Sequence, residues 1–274
     1  MIDDIKKYFS AFIYNQIQFL KFHFLSICEK MDIQFKGKRA LVTGAGKGIG
    51  RAIAMKLALC GAETVAISRT QADLDSLKAE SPSIETHVID LSVWSSAKKA
   101  LEALGHFDLL VNNAGVSRIA PFTEVTEEDF DYVFNTNFKA LFNVSQVVAK
   151  SMKEKKSGGA IVHVSSAASK QGLNNHAVYC STKGAVDSLT MVMALELGPH
   201  KIRTNAVNPT ATMTDMGKYA WSDPQKSKPL LNRIPLGRFA EVDDVVEAVL
   251  WLLSDRASYI NGVTLPVEGG LLVA

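Results

Sequence analysis

Short apolar runs alternate with amphipathic stretches along the chain from residue 38 onward. The apolar runs are RALVTGAG, ETVAISR, IETHVID, FDLLVNNAG, GAIVHVSS, IRTNAVNPT and GVTLPVEGG. Between them, apolar positions recur at helical spacing, first in GRAIAMKLALCG, where Gly61 is a plausible helix stop. The run Leu109-Leu110-Val111 is apolar on both faces, which is typical of a buried parallel strand. The pattern therefore predicts strands and helices in strict alternation.

Strands that alternate with helices are joined by right-handed crossovers, and the resulting parallel sheet is covered on both faces. We therefore predict an α/β fold with a single doubly wound, parallel, seven-stranded sheet of the Rossmann type and helices on both faces. In such sheets ligands bind beyond the carboxyl ends of the strands. The motifs described below fall at strand ends or in the elements that follow them.

The first thirty residues follow a different pattern. Apolar residues recur there at helical spacing and indicate an amphipathic helix: Phe9, Ile13, Ile17, Leu20, Phe24 and Ile27. Polar residues interrupt this stretch too often for a membrane span, and no secretory cleavage site follows it. We interpret residues 1–30 as an N-terminal extension, amphipathic or poorly ordered. It is either dispensable or a helix that contacts a membrane surface or a partner. Residues 31–274 are predicted to form a single Rossmann domain.

The composition is typical of a globular protein and gives no sign of a nucleic-acid-binding, disulfide-bonded or metal-binding protein. The chain has 274 residues, of which 47% are hydrophobic, and this is enough for one large core. A net charge of +2 provides no strong field to recruit nucleic acid. The three cysteines match no metal or disulfide spacing, so we expect reduced thiols, no metal site and a cytoplasmic location.

A glycine-rich loop, TGAGKGIG, joins the first predicted strand to the first helix. Gly44, Gly48 and Gly50 leave room for a pyrophosphate to lie on the free N–H groups of the helix N-terminus. The spacing differs from the general G-x-G-x-x-G fingerprint, and a tight turn without a ligand is the alternative. The flanking strand and helix favour a dinucleotide.

The end of the second strand reads AISRT, where NAD-binding proteins usually carry an acidic residue. Arg69, between Ser68 and Thr70, can instead form a forked pair with a 2′-phosphate, and Lys47 is a second cation in reach. One such charge pair is worth about 4 kcal/mol before desolvation at an effective dielectric near 20. We therefore predict NADP(H) as the cofactor. The alternative is that both cations are ordinary surface charges.

Two further strand ends carry candidate cofactor contacts. Asp90, which ends the third strand and precedes Leu91, is placed to meet the adenine. The NNAG motif, with Asn113, Ala114 and Gly115, ends the fourth strand and should border the adenine ribose. Asn and Asp at strand ends are also common turn residues, which is the alternative for each.

The segment YCSTK places Tyr179 and Lys183 on one face of a helix, one turn apart. The motifs TGAGKGIG, NNAG, SS followed by YCSTK, and NPT, in this order, resemble the short-chain dehydrogenase/reductase family over about residues 36–274. The resemblance implies that Tyr179 is the general acid/base of a carbonyl–alcohol reaction. Lys183 would favour its phenolate and hold the nicotinamide ribose. Moving a tyrosine pKa from about 10 toward 7 takes roughly 4 kcal/mol.

The same resemblance assigns two partners. Ser166, at the end of the fifth strand, matches the serine that binds the substrate oxygen, with Ser165 as its rival. Asn137 matches the helix asparagine whose backbone carbonyl holds a water beside the lysine. Further cofactor contacts implied by the resemblance, besides Tyr179 and Lys183, are Ile49, Pro209, Thr210, Thr212 and Thr214.

Candidate substrate residues are Leu173, Asn175, His176 and Trp221, besides Ser166 and Tyr179. Segments such as SRTQADLDSL further resemble family members that reduce L-xylulose to xylitol and small α-dicarbonyls such as diacetyl. We therefore expect an NADPH-dependent carbonyl reductase. The alternatives are reduction of a 3-ketoacyl thioester or a steroid, or a scaffold protein that has lost catalysis. The sequence predicts two long helices, EEDFDYVFNTNFKALFNVSQVVAKSM and HAVYCSTKGAVDSLTMVMALEL. The family also implies a homotetramer formed through these two helices and the C-terminal strand.

Overall fold

The structure is a computed structural model and describes residues 33–274, apart from the side chains of Met216 and Ala220. Within these residues the sheet has seven parallel strands in the order β3-β2-β1-β4-β5-β6-β7. The strands are β1 Arg39–Thr43, β2 Glu63–Ser68, β3 Glu85–Val88, β4 Leu109–Asn112, β5 Gly159–Val164, β6 Ile202–Pro209 and β7 Thr264–Val267. The predicted doubly wound fold is confirmed, and the strand order reverses between β1 and β4.

The helices are α1 Gly48–Leu59, α2 Gln71–Glu80, α3 Trp94–Ala103, α4 Glu127–Phe134, α5 Ala140–Lys155, α6 Ala177–Leu197, α7 Asp215–Ala220, α8 Pro224–Leu231 and α9 Val242–Leu253. α1 packs with α9, and α3 packs with α5. Leu41 in β1 is paired with Val65 in β2 and with Leu110 in β4, and none of the three is more than 1% exposed. The apolar strands therefore form the centre of the core, and their carboxyl ends are left to carry polar side chains.

A π-helix interrupts what the sequence predicts as one long helix. α4 ends at Phe134, the π-helix spans Asn135–Lys139, and α5 begins at Ala140. A π-helix accommodates an extra residue per turn and is frequent at functional sites. Apolar periodicity does not reveal a single inserted residue, so the interruption could not be predicted.

α7 and α8 were not predicted from the sequence. They lie between β6 and α9, on either side of Trp221. Each is short and begins with a side-chain cap: Thr214 accepts from Gly217 N at 3.1 Å, and Asp223 accepts from Gln225 N at 2.9 Å. Helices of this length carry too few apolar positions to show a helical period.

The predicted extension, residues 1–30, falls outside the described residues, so its character and its boundary remain predictions. Within residues 33–274, no helix has the length and apolar character that crossing a bilayer requires.

Candidate active site

A cleft opens where β1, β2, β3 and β4 end, beside the point at which the strand order reverses. Most of the residues predicted to bind a cofactor line it: Gly44, Lys47, Gly48, Ile49, Ser68, Arg69, Thr70, Asp90, Leu91, Asn113, Ala114, Gly115 and Thr214. The cleft lining does not include the other predicted cofactor residues, which are Gly50, Tyr179, Lys183, Pro209, Thr210 and Thr212. The loops after four strands thus converge on one elongated groove.

The glycine loop is held close to β4. Gly44 has φ +64°, and a Cβ atom added there would lie 2.7 Å from the Cα of Ala114. The side chain of Asn113 donates to the carbonyl oxygens of Thr43 and Gly44, both at 3.1 Å. Gly48 begins α1, so the free N–H groups of this helix face the cleft. This cradle fits a pyrophosphate.

Cations lie along the rim formed by β2 and the glycine loop. Arg69 is exposed and lies near Asp90, whose pKa is lowered mainly by hydrogen bonds from Ser92 and also by the Arg69 charge. Lys47 Nζ lies 3.7 Å from the carboxylate of Asp73. Arginine and lysine with neighbouring hydroxyl groups are suited to bind a phosphate monoester.

Sequence reasoning missed several residues that line the cleft: Gly46, Ile67, Asp73, Ile89, Ser92, Thr136 and Asp215. Ser92 had a detectable signal, because it lies two residues after Asp90 and donates to its carboxylate from both its backbone N–H and its hydroxyl. Asp73 and Thr136 lie within helical segments, and no local pattern marks them. A cofactor contact made from a helix surface depends on where the helix packs.

Two hydroxyl groups meet beyond the end of β5. Ser166 directs its hydroxyl toward Tyr179 on α6, and its Oγ also accepts from Ala168 N at 3.1 Å. The neighbouring Ser165 instead donates to the backbone carbonyl of Lys183 at 3.3 Å and is 4% exposed. Of the two rival serines, the structure therefore brings Ser166 to the phenol.

The pKa of Tyr179 is raised above that of a free tyrosine, chiefly by burial, and the hydrogen bond from Ser166 opposes this rise. Lys183 is not among the groups that lower the pKa of Tyr179, so the expected effect of the lysine is not found. Lys183 Nζ lies 5.6 Å from the centre of the tyrosine ring and donates to the carbonyl oxygen of Val164 at 2.9 Å. The phenol is thus held protonated at neutral pH, as a proton donor must be.

Burial lowers the pKa of Lys183 to about 8, and the negative charge of Asp187 opposes this. Lys183 Nζ and Asn137 Oδ1 of the π-helix both face Gly115: a Cβ atom added to this glycine would lie 3.7 Å from the first and 3.5 Å from the second. Asn137 also donates to Thr182 Oγ1 at 3.2 Å. The predicted set of Asn137, Ser166, Tyr179 and Lys183 is therefore brought together in space.

A buried polar group lies behind this set, on β4 and β5. The side chain of Asn112 lies 3.1 Å from His163 Nδ1 and donates to Ser145 Oγ at 2.9 Å. His163 has no exposed surface, and burial lowers its pKa to about 3, with a further contribution from Lys183. The imidazole is therefore neutral at physiological pH.

The predicted substrate residues lie in two places. The rings of His176 and Tyr179 meet edge to face with centroids 6.3 Å apart, and His176 Nδ1 lies 2.6 Å from the carbonyl oxygen of Asn174. Asn175 adopts φ +63° and accepts from Ala120 N at 3.0 Å through its carbonyl oxygen. Leu173 is exposed in the same loop. Trp221, at the end of α7, packs against Phe239 with ring centroids 5.5 Å apart.

The arrangement combines a cleft whose groups suit phosphates with a buried phenol beside a serine hydroxyl. The cleft suits a dinucleotide, and the phenol is able to donate a proton to an oxygen placed beside Ser166. A metal-independent proton transfer is therefore within the reach of these side chains.

The chain is similar to known proteins over most of its length. The family model described as enoyl-(acyl carrier protein) reductase matches residues 44–272. L-Xylulose reductase of Bos taurus is 60% identical over 242 residues, which cover 88% of this chain and 99% of that protein. D-Erythrulose reductase of Gallus gallus is 57% identical over 243 residues, which cover 89% and 99%.

A solved structure has the same fold. The gluconate 5-dehydrogenase from Burkholderia cenocepacia J2315, in complex with NADP and tartrate, superposes with a TM-score of 0.84 at 32% identity. The superposition covers 88% of this chain and 98% of that one.

Proposed function

Because the chain belongs to the short-chain dehydrogenase/reductase family, we propose that it is an NADPH-dependent carbonyl reductase whose substrates are L-xylulose and small α-dicarbonyls such as diacetyl. Xylitol would be the product from L-xylulose. The extent of identity to L-xylulose reductases supports the sugar substrate, and the ketose named in D-erythrulose reductase is of the same chemical class. We also propose a role in carbohydrate metabolism.

The proposed cofactor is NADP(H), and the described residues fit it. The N-terminus of α1 and the glycine loop would hold the pyrophosphate, and Arg69 with Lys47 would hold the 2′-phosphate. The NADP in the gluconate 5-dehydrogenase complex supports the same choice. When bound, the reduced nicotinamide would supply the hydride.

The observation that carries the proposal is the placement of Ser166 beside the buried phenol of Tyr179, where it lowers the pKa of that phenol, with Lys183 one turn further along α6. In the reductive direction, Tyr179 donates its phenolic proton to the carbonyl oxygen as negative charge develops there. Ser166 donates a hydrogen bond to the same oxygen and stabilises the developing alkoxide. Lys183 would hold the nicotinamide ribose. The backbone carbonyl of Asn137 would hold a water that returns the proton from solvent.

We propose that the loop with Leu173, Asn175 and His176 contacts the substrate. His176 lies at the edge of the Tyr179 ring and would hydrogen-bond a hydroxyl or second carbonyl of the substrate. Trp221 would form an apolar wall from the side of α7, supported by Phe239. Polar groups near the phenol favour a hydroxylated substrate over a steroid.

The test is oxidation of NADPH by the purified full chain with L-xylulose, diacetyl, an acetoacetyl thioester and a steroid ketone. We expect the highest kcat/KM with L-xylulose or diacetyl and much weaker activity with NADH. Preference for the thioester would replace the proposed substrate class. No turnover with any carbonyl, despite NADPH binding, would favour the non-catalytic scaffold.

We propose a homotetramer formed through α5, α6 and the C-terminal strand. Apolar side chains on α5 and α6 are exposed in the single chain: Phe142 37%, Met191 56%, Val192 46% and Leu195 79%. Covering these faces would remove apolar surface from water. Sedimentation of the wild type should give a tetramer, and Leu195→Glu should shift it to smaller species. A wild type that sediments as a monomer would contradict this assembly.

We also propose that residues 1–30 are an extension that the catalytic domain, residues 31–274, does not need for turnover. The protein would be cytoplasmic, with membrane contact possible only through this extension. A chain lacking residues 1–30 should keep the wild-type kcat/KM. Cell fractionation with and without the extension would show whether it carries the protein to membranes.

A further inference from the structure

Asp187 is a buried carboxylate on α6, one helical turn beyond Lys183. The residue is 9% exposed, and no part of the proposed reaction uses it. Residues four positions apart on a helix lie on the same face, so its charge lies along the face that carries Tyr179 and Lys183. A carboxylate is costly to bury unless it is paired or hydrogen-bonded. Its partners therefore indicate its role.

The first partner is Asn208, near the end of β6. Asn208 Nδ2 lies 2.9 Å from Asp187 Oδ2 and 3.1 Å from Oδ1. The same nitrogen lies 3.2 Å from the carbonyl oxygen of Ser166 and 2.8 Å from Ser169 Oγ. Ser169 Oγ in turn donates to the Ser166 carbonyl at 2.7 Å. Asp187 thus orients an amide that binds the backbone of the serine facing the phenol.

The second partner is Lys170, in the turn after β5. Lys170 Nζ lies 3.7 Å from Asp187 Oδ2 and donates to Thr264 Oγ1 at 2.7 Å. The Lys170 side chain is 33% exposed, whereas that of Asp187 is 12% exposed. Asp187 therefore pairs with an outer lysine that reaches solvent, and its charge also acts on the inner, buried Lys183.

We propose that Asp187 is a positioning residue of the reductase: its charge keeps Lys183 protonated, and its hydrogen bonds to Asn208 hold the backbone of Ser166 in place. This inference rests on the proposed function. It adds that a carboxylate outside the set of Asn137, Ser166, Tyr179 and Lys183 sets the pH range over which that set works.

Among residues 33–274, Asp187 is the acidic group whose charge acts on Lys183. Burial lowers the pKa of Lys183 to about 8, and the Asp187 charge acts in the opposite direction. From β5, His163 faces the lysine as a neutral imidazole, and from α6 Tyr179 faces it as a protonated phenol. The π-helix contributes the neutral Asn137. Lys170 is the further cation on the Asp187 side.

The test measures kcat/KM for NADPH-dependent carbonyl reduction as a function of pH in variants that change the charge of Asp187 or Lys170. The quantity compared is the position of the alkaline limb, the range of high pH over which kcat/KM falls. Asp187→Asn should move this limb to lower pH by roughly one unit, because Lys183 loses its proton and Tyr179 its phenolic proton more readily without the carboxylate. Lys170→Gln should move the limb in the opposite direction, because it leaves the Asp187 charge uncompensated while keeping a polar group for Thr264. Asp75→Asn, on the outer face of α2, is the matched control and should leave the limb unchanged.

Opposite shifts in the Asp187 and Lys170 variants support the proposal. A uniform loss of kcat across the pH range with an unmoved limb overturns it, because that is the result of a purely structural role. Asp187→Glu keeps the charge and should retain a limb near the wild-type position even if its kcat falls. If Asp187→Asn does not fold, Lys170→Gln and Asp187→Glu still decide the outcome.

The pH dependence of the NADP⁺ dissociation constant, followed by quenching of tryptophan fluorescence, is a second readout that needs no turnover. It should show the same two opposite shifts, because Lys183 would bind the ribose. If the wild type turns over no carbonyl, the proposed function fails, and this titration alone decides the role of Asp187.

Discussion

Asn137 binds both backbone polar atoms of Val116: its Oδ1 accepts from the N–H at 2.7 Å, and its Nδ2 donates to the carbonyl oxygen at 2.9 Å. The π-helix that carries Asn137 is thereby joined to the segment that follows β4 and borders the cleft. This contact fixes the position of the asparagine beside Lys183.

Asn137→Ala should lower both stability and turnover. Two backbone groups lose their partner, so the free energy of unfolding should fall by about 2 to 4 kcal/mol, measured by urea unfolding. We expect kcat to fall at least about tenfold, because the backbone carbonyl proposed to hold the water loses the contacts with Val116 that position it. Asn143→Ala is the control: it breaks a buried bond to the Trp94 carbonyl, so stability should fall while kcat stays near the wild type. Equal effects of both variants on kcat would argue against a role for Asn137.

Tyr179→Phe should reduce kcat by more than about a thousandfold, because the proton donor is lost and the ring remains. The dissociation constant for NADPH should change little, because only one hydroxyl is lost and the residues proposed to hold the pyrophosphate and the 2′-phosphate are unchanged. Tyr259→Phe, at a fully exposed position, is the control and should behave as the wild type. Residual activity above a few per cent would refute the assignment of the acid.

Ser166→Ala and Ser165→Ala distinguish the two neighbouring serines. Ser166→Ala removes the hydroxyl that meets Tyr179, and we expect kcat to fall about a hundredfold or more. Ser165→Ala removes a bond to the Lys183 carbonyl and should cost about 1 kcal/mol of stability with a small change in kcat. A larger fall of kcat in Ser165→Ala than in Ser166→Ala would mean that Ser165 binds the substrate oxygen.

Arg69→Gln should raise KM for NADPH about ten- to a hundredfold and leave KM for NADH nearly unchanged. The reason is that a charge-assisted hydrogen bond to a phosphate is worth about 1.5 to 3 kcal/mol. Arg238→Gln removes an arginine that instead pairs with Asp244, and it is the control for net charge. An equal rise in KM for NADPH and for NADH in the Arg69 variant would mean that the arginine does not bind the 2′-phosphate.

His163 should make the folded state sensitive to acid. Its pKa is about 3 in the folded protein against an ordinary value of 6.5, so the unfolded chain binds more protons between these limits. The contribution of His163 to the free energy of unfolding is therefore at its maximum above a pH of about 6.5, and it is lost as pH falls from there toward about 3. Between pH values of about 6.5 and about 5 the loss from this group should be about 2 kcal/mol.

The measurement is urea unfolding across this pH range in wild type and His163→Gln. The variant should lack this part of the pH dependence. His200→Gln, at an exposed position, should keep it. A wild type and a His163 variant with the same dependence on pH would mean that the imidazole is protonated in the folded state.

Local patterns predicted the order of strands and helices and the doubly wound sheet. They also predicted the glycine loop and most of the residues that line the cleft. Apolar periodicity and glycine content depend on neighbours along the chain, and in a parallel sheet the carboxyl ends of the strands converge wherever the helices pack. The spacing of Tyr179 and Lys183 was likewise decisive, because residues four apart share one helix face.

Only the tertiary structure decided which groups meet across the chain and what burial does to them. It placed Ser166 rather than Ser165 against the phenol, and it joined Asp187 to Asn208 on another element. It also raised the pKa of Tyr179, where the neighbouring lysine alone suggested a lower one. The physical reason is that desolvation and long-range contacts depend on how elements pack against each other, whereas periodicity records only which face of each element turns inward.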